Sequence, residues 1–189
     1  MLAIGSLSIL GLGGCQPAVI APPAAPGEVV LADEDHIAWA ESEPIFVVVR
    51  QSCRTLDVYR RGRRIRTYEA VFGFGGTPKV FEGDRRTPVG FYRVSGKRPH
   101  PRWQYFLLLD YPDAGDRLEY ETALKRGDVP MNGKGPVGHG GEIGIHGTDK
   151  PDLNRRGIDW TFGCISVDPQ AAYDLARLLP VGTPVLISK

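Results

Sequence analysis

The chain has 189 residues, 42% of them hydrophobic, and a formal charge of +1 at pH 7, enough for one well-buried domain and too little for two ordinary ones. A balance this close to neutral excludes a nucleic-acid binder that works through a uniformly basic surface, and 24 Gly with 16 Pro argue against a helical bundle. Three Cys, far apart at Cys15, Cys53 and Cys164, suit neither a disulfide-stapled mini-protein nor a metal knuckle, so each needs its own account.

Residues 2–12 form a nearly unbroken run of apolar and small residues, too short to span a bilayer but suited to the core of a signal peptide, although no Lys or Arg precedes it. The run ends in Leu12-Gly13-Gly14-Cys15, which resembles a bacterial lipobox. That resemblance implies diacylglyceryl transfer to the Cys15 thiol and cleavage just before it. Residues 1–15 are therefore expected to be a signal peptide with its lipobox, residues 16–42 a Pro/Ala-rich tether that carries His36, and residues 43–189 the folded domain. The corresponding location is outside the cytoplasm, as a periplasmic lipoprotein held to a membrane through Cys15 and reaching a fixed polymer.

Within the domain, residues 44–50 are a β-branched run of strand length, and residues 55–59 and 65–72 predict two more strands joined through Arg61-Gly62. Arg60, Arg61, Arg63, Arg64 and Arg66 crowd that hairpin tip, where solvation is the plain explanation and contact with an anionic surface the sharper one. The Gly-rich turn at 73–78 lacks the phosphate-loop pattern, and Thr87-Pro88-Val89-Gly90 leads into a further strand. Residues 105–111 read as a strand, 113–127 as a short helix, and 130–141 as a Gly-rich connection that places His139 in a loop. Residues 168–179 read as the best helix, capped by Asp168 with Pro169 in the first turn, and 182–187 as a closing strand. The pattern is mainly β, with one or two short helices.

Two segments carry the chemistry. Gly144-Ile145-His146-Gly147-Thr148 ends a short apolar strand in a His, and Thr161-Phe162-Gly163-Cys164-Ile165 presents a Cys after a Gly. A Cys becomes a nucleophile when a nearby His takes its proton, and the resulting imidazolium then lowers the thiol pKa. Gly163 removes bulk where a carbonyl must approach and leaves nearby amides able to donate to an oxyanion. Residue types alone leave open a Cys that merely packs in the core.

The pattern as a whole is more specific. His146-Gly147-Thr148 followed by Thr161-Phe162-Gly163-Cys164-Ile165 resembles the active-site signature of the L,D-transpeptidase catalytic domain, the YkuD family. Arg86-Thr87-Pro88-Val89-Gly90-Phe91 and Leu56-Asp57-Val58-Tyr59-Arg60-Arg61-Gly62 resemble two further stretches of that family, in the same order. The resemblance implies a bent β-sheet sandwich acting on peptidoglycan stem peptides, at the amide between diaminopimelate and D-alanine, through a thioester on Cys164. An amine resolves the thioester as a 3→3 cross-link or a bond to a protein acceptor, and water resolves it as hydrolysis. It further implies Cys164 as nucleophile, His146 as base, and the amides near Gly163 as oxyanion donors, with no metal and no cofactor. Gly147, Thr148, Phe162, Ser166, Arg155 and Arg156 are the residues expected to meet the substrate.

Two positions depart from the family. Phe162 stands where many members have His, and Ser166 where many have Arg or Asn, which keeps a carboxypeptidase or amidase and a silent wall-binding module open as alternatives. Cys53 is expected to be a buried or idle thiol apart from Cys164. His100, between prolines, takes no role, and Trp103, Tyr105 and Trp160 are expected at the core or rim, with stacking on substrate the sharper reading.

Overall fold

The β-branched run near the start becomes a strand because it is apolar on both faces. In β1 (Ile45–Arg50), Val47 and Val49 are fully buried in the main core, while Phe46 and Val48 pack with Tyr59 and Leu186 in a second cluster. The structure, a computed structural model, describes residues 43–189. The expected signal peptide, Cys15, tether and His36 lie outside the described residues.

β1 pairs antiparallel with β2 (Thr55–Arg60), which pairs antiparallel with β3 (Arg63–Glu69). Arg61 and Gly62 take φ of 49° and 72° at the turn, the backbone twist that closes a tight hairpin. The five tip arginines are exposed, and Arg64 comes no nearer than 3.9 Å to Asp57. On its other side β1 pairs parallel with β10 (Pro184–Ser188), and the sheet continues antiparallel through β4 (Gly90–His100), β5 (Gln104–Leu109) and β8 (Gly144–His146), ending in β9 (Ile165–Ser166), parallel to β8. Between β5 and β8, β6 (Met131–Asn132) and β7 (Gly135–Pro136) form a separate small hairpin.

β3 stops at Glu69, earlier than the apolar pattern predicts, because the chain then leaves β2 and reaches the opposite end of the sheet. Val71 and Ser166 exchange N–H···O bonds at 2.9 and 2.8 Å, so the mainly β, eight-stranded sheet curls until its two ends meet. That closure brings the 70–88 segment, distant in sequence, against the His and Cys segments.

Local capping sets the helices. Asp113 accepts from the Asp116 N–H at 2.8 Å and Asp116 accepts from the Asp113 N–H at 2.9 Å, a reciprocal cap for α1 (Ala114–Arg126), which Gly127 ends at φ 79°. After a five-residue α2 (Pro151–Arg155) that sequence patterning did not predict, α3 (Pro169–Leu178) starts at Asp168, whose carboxylate accepts from Gln170 N–H at 2.9 Å. α3 is shorter than α1, but it has the apolar face expected of it, burying Ala171, Ala172, Leu175 and Ala176 in the core, whereas α1 buries only Asp116 and Ala123.

Candidate active site

β8 and β9 run parallel with Ile145 opposite Ile165 and His146 opposite Ser166. Both isoleucines are fully buried in the core, so strand alternation turns Gly144, His146, Cys164 and Ser166 toward the other face. The curled sheet thus puts the two chemical segments side by side.

His146 is 2% exposed and sits in an aromatic box. Trp103 stacks on it at 4.2 Å, Phe106 lies parallel at 5.9 Å, and Trp160 meets it edge-on at 6.0 Å. Its Nδ1 lies 2.6 Å from the Gly147 carbonyl oxygen. A carbonyl only accepts, so Nδ1 carries the proton and a neutral ring keeps its lone pair on Nε2. Burial pushes the imidazole pKa down to about 4, opposed by the bond to Gly147. Gly147 is required where it stands: its N–H donates to the Trp103 carbonyl at 3.0 Å, and any Cβ would collide with that same oxygen.

Cys164 is half-buried and its thiol is free. Sγ donates to the Glu142 carbonyl oxygen at 3.5 Å, not to His146. Burial pushes the thiol up to about 11, opposed by a backbone contact from Gly144 and, more weakly, by the charge of Lys79. This corrects the expectation of a thiol whose pKa is lowered by its His: at neutral pH both groups rest uncharged, because each is desolvated before substrate arrives. Gly163 adopts φ 136°, and an added Cβ would lie 2.7 Å from the Arg86 carbonyl oxygen, so no side chain fits. The Gly163 N–H donates to Thr161 Oγ1 at 3.2 Å, which removes it from the expected oxyanion donors. Among the described residues the Phe162 and Cys164 amides have no acceptor, and these two residues flank Gly163.

The remaining expected site residues divide. Phe162 is 73% exposed beside the Cys. Thr148 is buried, its Oγ1 accepting from Lys150 N–H at 2.8 Å, and Ser166 is fully buried, its Oγ 3.3 Å from the Asn154 side-chain amide. Ser166 therefore offers no surface to a ligand. Arg155 and Arg156 are exposed on and after α2, with Arg155 paired to Asp152. Cys53 is disulfide-bonded, not the idle thiol expected. His139 braces the Gly-rich loop against Tyr120 at 5.7 Å, and Tyr105 packs on Tyr173 of α3.

Sequence reading gave His100 no role, set Trp103 and Trp160 at the core or rim, and left out Asn154 and the Lys79–Asp84 pair, yet all of them build the site. His100 stacks on Trp103 at 4.2 Å, and Trp103 donates its indole N–H to Asp149 at 3.3 Å, so β4 and β5 aim the ring that covers His146. Asn154 bonds both Ser166 and the Trp160 indole. A buried Lys79–Asp84 ion pair at 2.9 Å, with Asp84 also accepting from the N–H groups of Val80, Phe81 and Arg86, fixes the loop whose Arg86 carbonyl abuts Gly163. Of these, only the two tryptophans drew notice in the sequence. Among the described residues no three His, Cys, Asp or Glu side chains converge on a metal position, and no helix is long and apolar enough to cross a membrane.

A mainly β sheet curled to set a His and a Cys on one face defines a class, and comparison with known proteins identifies it. Residues 43–187 match the L,D-transpeptidase catalytic domain, and the chain belongs to that family. Its fold is similar to an L,D-transpeptidase from Mycobacterium smegmatis (16% identity, TM-score 0.51, covering 77% of this chain and 59% of that one). It is also similar to residues 123–326 of an L,D-transpeptidase from Xylanimonas cellulosilytica (18%, 0.51, 78% and 61%) and to the Bd1075 protein of Bdellovibrio bacteriovorus (23%, 0.52, 77% and 48%). The chain spans about half to three fifths of the length of these structures. No curated protein matches it in sequence.

Proposed function

We propose that the domain is a cysteine-dependent peptidoglycan L,D-transpeptidase. The observation that carries this reading is the His146 tautomer: the Gly147 carbonyl holds the proton on Nδ1 and leaves Nε2 as the base, on the face that also carries Cys164. Cys164 Sγ attacks the carbonyl carbon of the amide between diaminopimelate and D-alanine while its proton passes to Nε2. The oxyanion is met by the Phe162 and Cys164 N–H groups, aimed by the strained Gly163. Collapse breaks the C–N bond, the imidazolium returns its proton to the leaving amine, and D-alanine departs. An acceptor amine then attacks the thioester carbonyl and gives its proton to His146, the C–S bond breaks, and the imidazolium passes that proton to the departing sulfur, restoring Cys164 as the thiol. Starting from two neutral groups, the site creates charge only as the bond forms, where pre-set dipoles act most strongly.

The acceptor is an amine of a second stem or of a protein, or water. The burial of Ser166 removes the side chain that the family uses two places after the Cys, and that supports hydrolysis as the second reading. Mass spectrometry of tetrapeptide muropeptides incubated with the protein, with Cys164→Ala alongside, separates these. Cys164-dependent 3→3 dimers are expected. Cys164-dependent tripeptides alone indicate hydrolysis, and no Cys164-dependent product indicates a wall-binding module.

Export and a lipid anchor on Cys15 complete the proposal and place the enzyme in the periplasm, tethered to a membrane. The intact mass of membrane-extracted protein reports the anchor.

A further inference from the structure

Phe74 and Phe162 are 48% and 73% exposed, an unfavourable placement for two phenyl rings unless something meets them. They come from segments far apart in the chain, yet they pack edge-to-face at 5.7 Å. Over both lies one guanidinium: Arg85 Cζ is 5.0 Å from the Phe74 ring centre and 5.9 Å from that of Phe162. The backbone of Arg85 takes φ 61°, a conformation that L residues avoid, and its carbonyl is held by the Gly75 N–H at 2.8 Å. Unlike Arg54 and Arg102, which pair with Asp159 and Asp149, Arg85 has no carboxylate partner among the described residues. The next carbonyl, of Arg86, abuts Gly163, so this cation stands at the rim of the nucleophile segment.

A guanidinium lying on aromatic faces keeps its edge donors free for a planar anion, and it arrives oriented. Building on the transpeptidase reading, we infer that Arg85, aimed by Phe74 and Phe162, holds the free α-carboxylate of the residue that leaves from the donor stem. That carboxylate sits on the carbon bonded to the scissile nitrogen, within a side chain's reach of the attacked carbonyl, and the small apolar side chain of the leaving residue covers the exposed phenyl edges. Arg85 thereby supplies from the 73–88 loop the anion recognition that buried Ser166 cannot. The site is selective for stems ending one residue after the scissile amide.

The test uses the full-length protein and two tetrapeptide donors, one with a free C-terminal carboxylate and one with a C-terminal amide, comparing wild type with Arg85→Gln and Arg85→Lys. A lost charged hydrogen bond predicts that wild type favours the acid by about tenfold or more in kcat/KM, chiefly through KM. In R85Q that preference falls toward one because the acid alone is handled worse, and R85K lies between. An R85Q enzyme that keeps the wild-type preference overturns this assignment while leaving the function standing. Wild-type protein that turns over neither donor overturns the function and the assignment with it. Arg85 is exposed, so unfolding temperatures equal to wild type are expected, and R85K keeps the test valid if R85Q does not fold.

Discussion

The His146 side and the Cys164 side of the site are built on opposite plans. His146 is enclosed by three aromatic rings and pinned at Nδ1, the rings drawn from the β4–β5 turn, β5 and the loop before β9. Cys164 is half-buried, next to an exposed Phe162 and a Gly163 at φ 136°, with two amides still able to donate. The closed half fixes one tautomer and one orientation. On the proposed function, the open half admits substrate and receives its charge. Neither half rests charged, so the division separates positioning from chemistry.

The largest effect that would break this picture comes from the open half. Cys164→Ala should lower turnover by at least about a thousandfold while leaving the unfolding temperature within a few degrees of wild type, because a half-buried thiol contributes little to packing. Turnover that survived would remove Cys164 from the chemistry. His146→Gln is expected to cost about a hundredfold to ten-thousandfold in kcat, and unlike the Cys variant it should also loosen the fold, since the aromatic box loses its centre. Gly163→Ala should cost about 1 to 3 kcal/mol of stability, read by denaturant titration, because the residue must leave its left-handed conformation or displace the Arg86 carbonyl. Asn154→Ala, which frees the Trp160 indole and Ser166, should cost about 1 kcal/mol and shift kcat only modestly.

The closed half also predicts a pH dependence of stability. The folded imidazole titrates near 4 against an ordinary value of 6.5, so the unfolded chain binds the proton more readily between those values. The contribution of His146 is complete above about pH 6.5, is lost as pH falls, and levels off below about 4, a swing of about 3 kcal/mol. H146Q should flatten that part of the curve, and an unchanged curve would place His146 in contact with water.

Much of the fold was legible because its signals are local. The β-branched run in β1, the Arg61-Gly62 turn, the helix expected over 113–127 and the Asp168 cap each act within a few residues, and all appear where the pattern puts them. α2, β6 and β7 were not legible, since elements of two to five residues exist only through what they dock against. In the site, His146, Gly163 and Cys164 stood out as residue types in a recognisable order. Asn154 and the Lys79–Asp84 pair did not, and Trp103 stood out only as a core or rim residue, because they meet the site only after the sheet curls. The same reason accounts for the misjudged thiol: a His in the sequence suggests a lowered Cys pKa, but desolvation is a property of the folded surroundings, and here it wins for both groups.

The central claim, that nucleophile and base rest neutral and charge appears only with substrate, is tested most directly by the pH dependence of Cys164 alkylation with iodoacetamide, followed at its peptide by mass spectrometry. The rate should rise steadily with pH through 9 and level off only toward about 11, with no step near neutrality. A plateau already reached near pH 7 would reveal a resting thiolate–imidazolium pair and contradict the account.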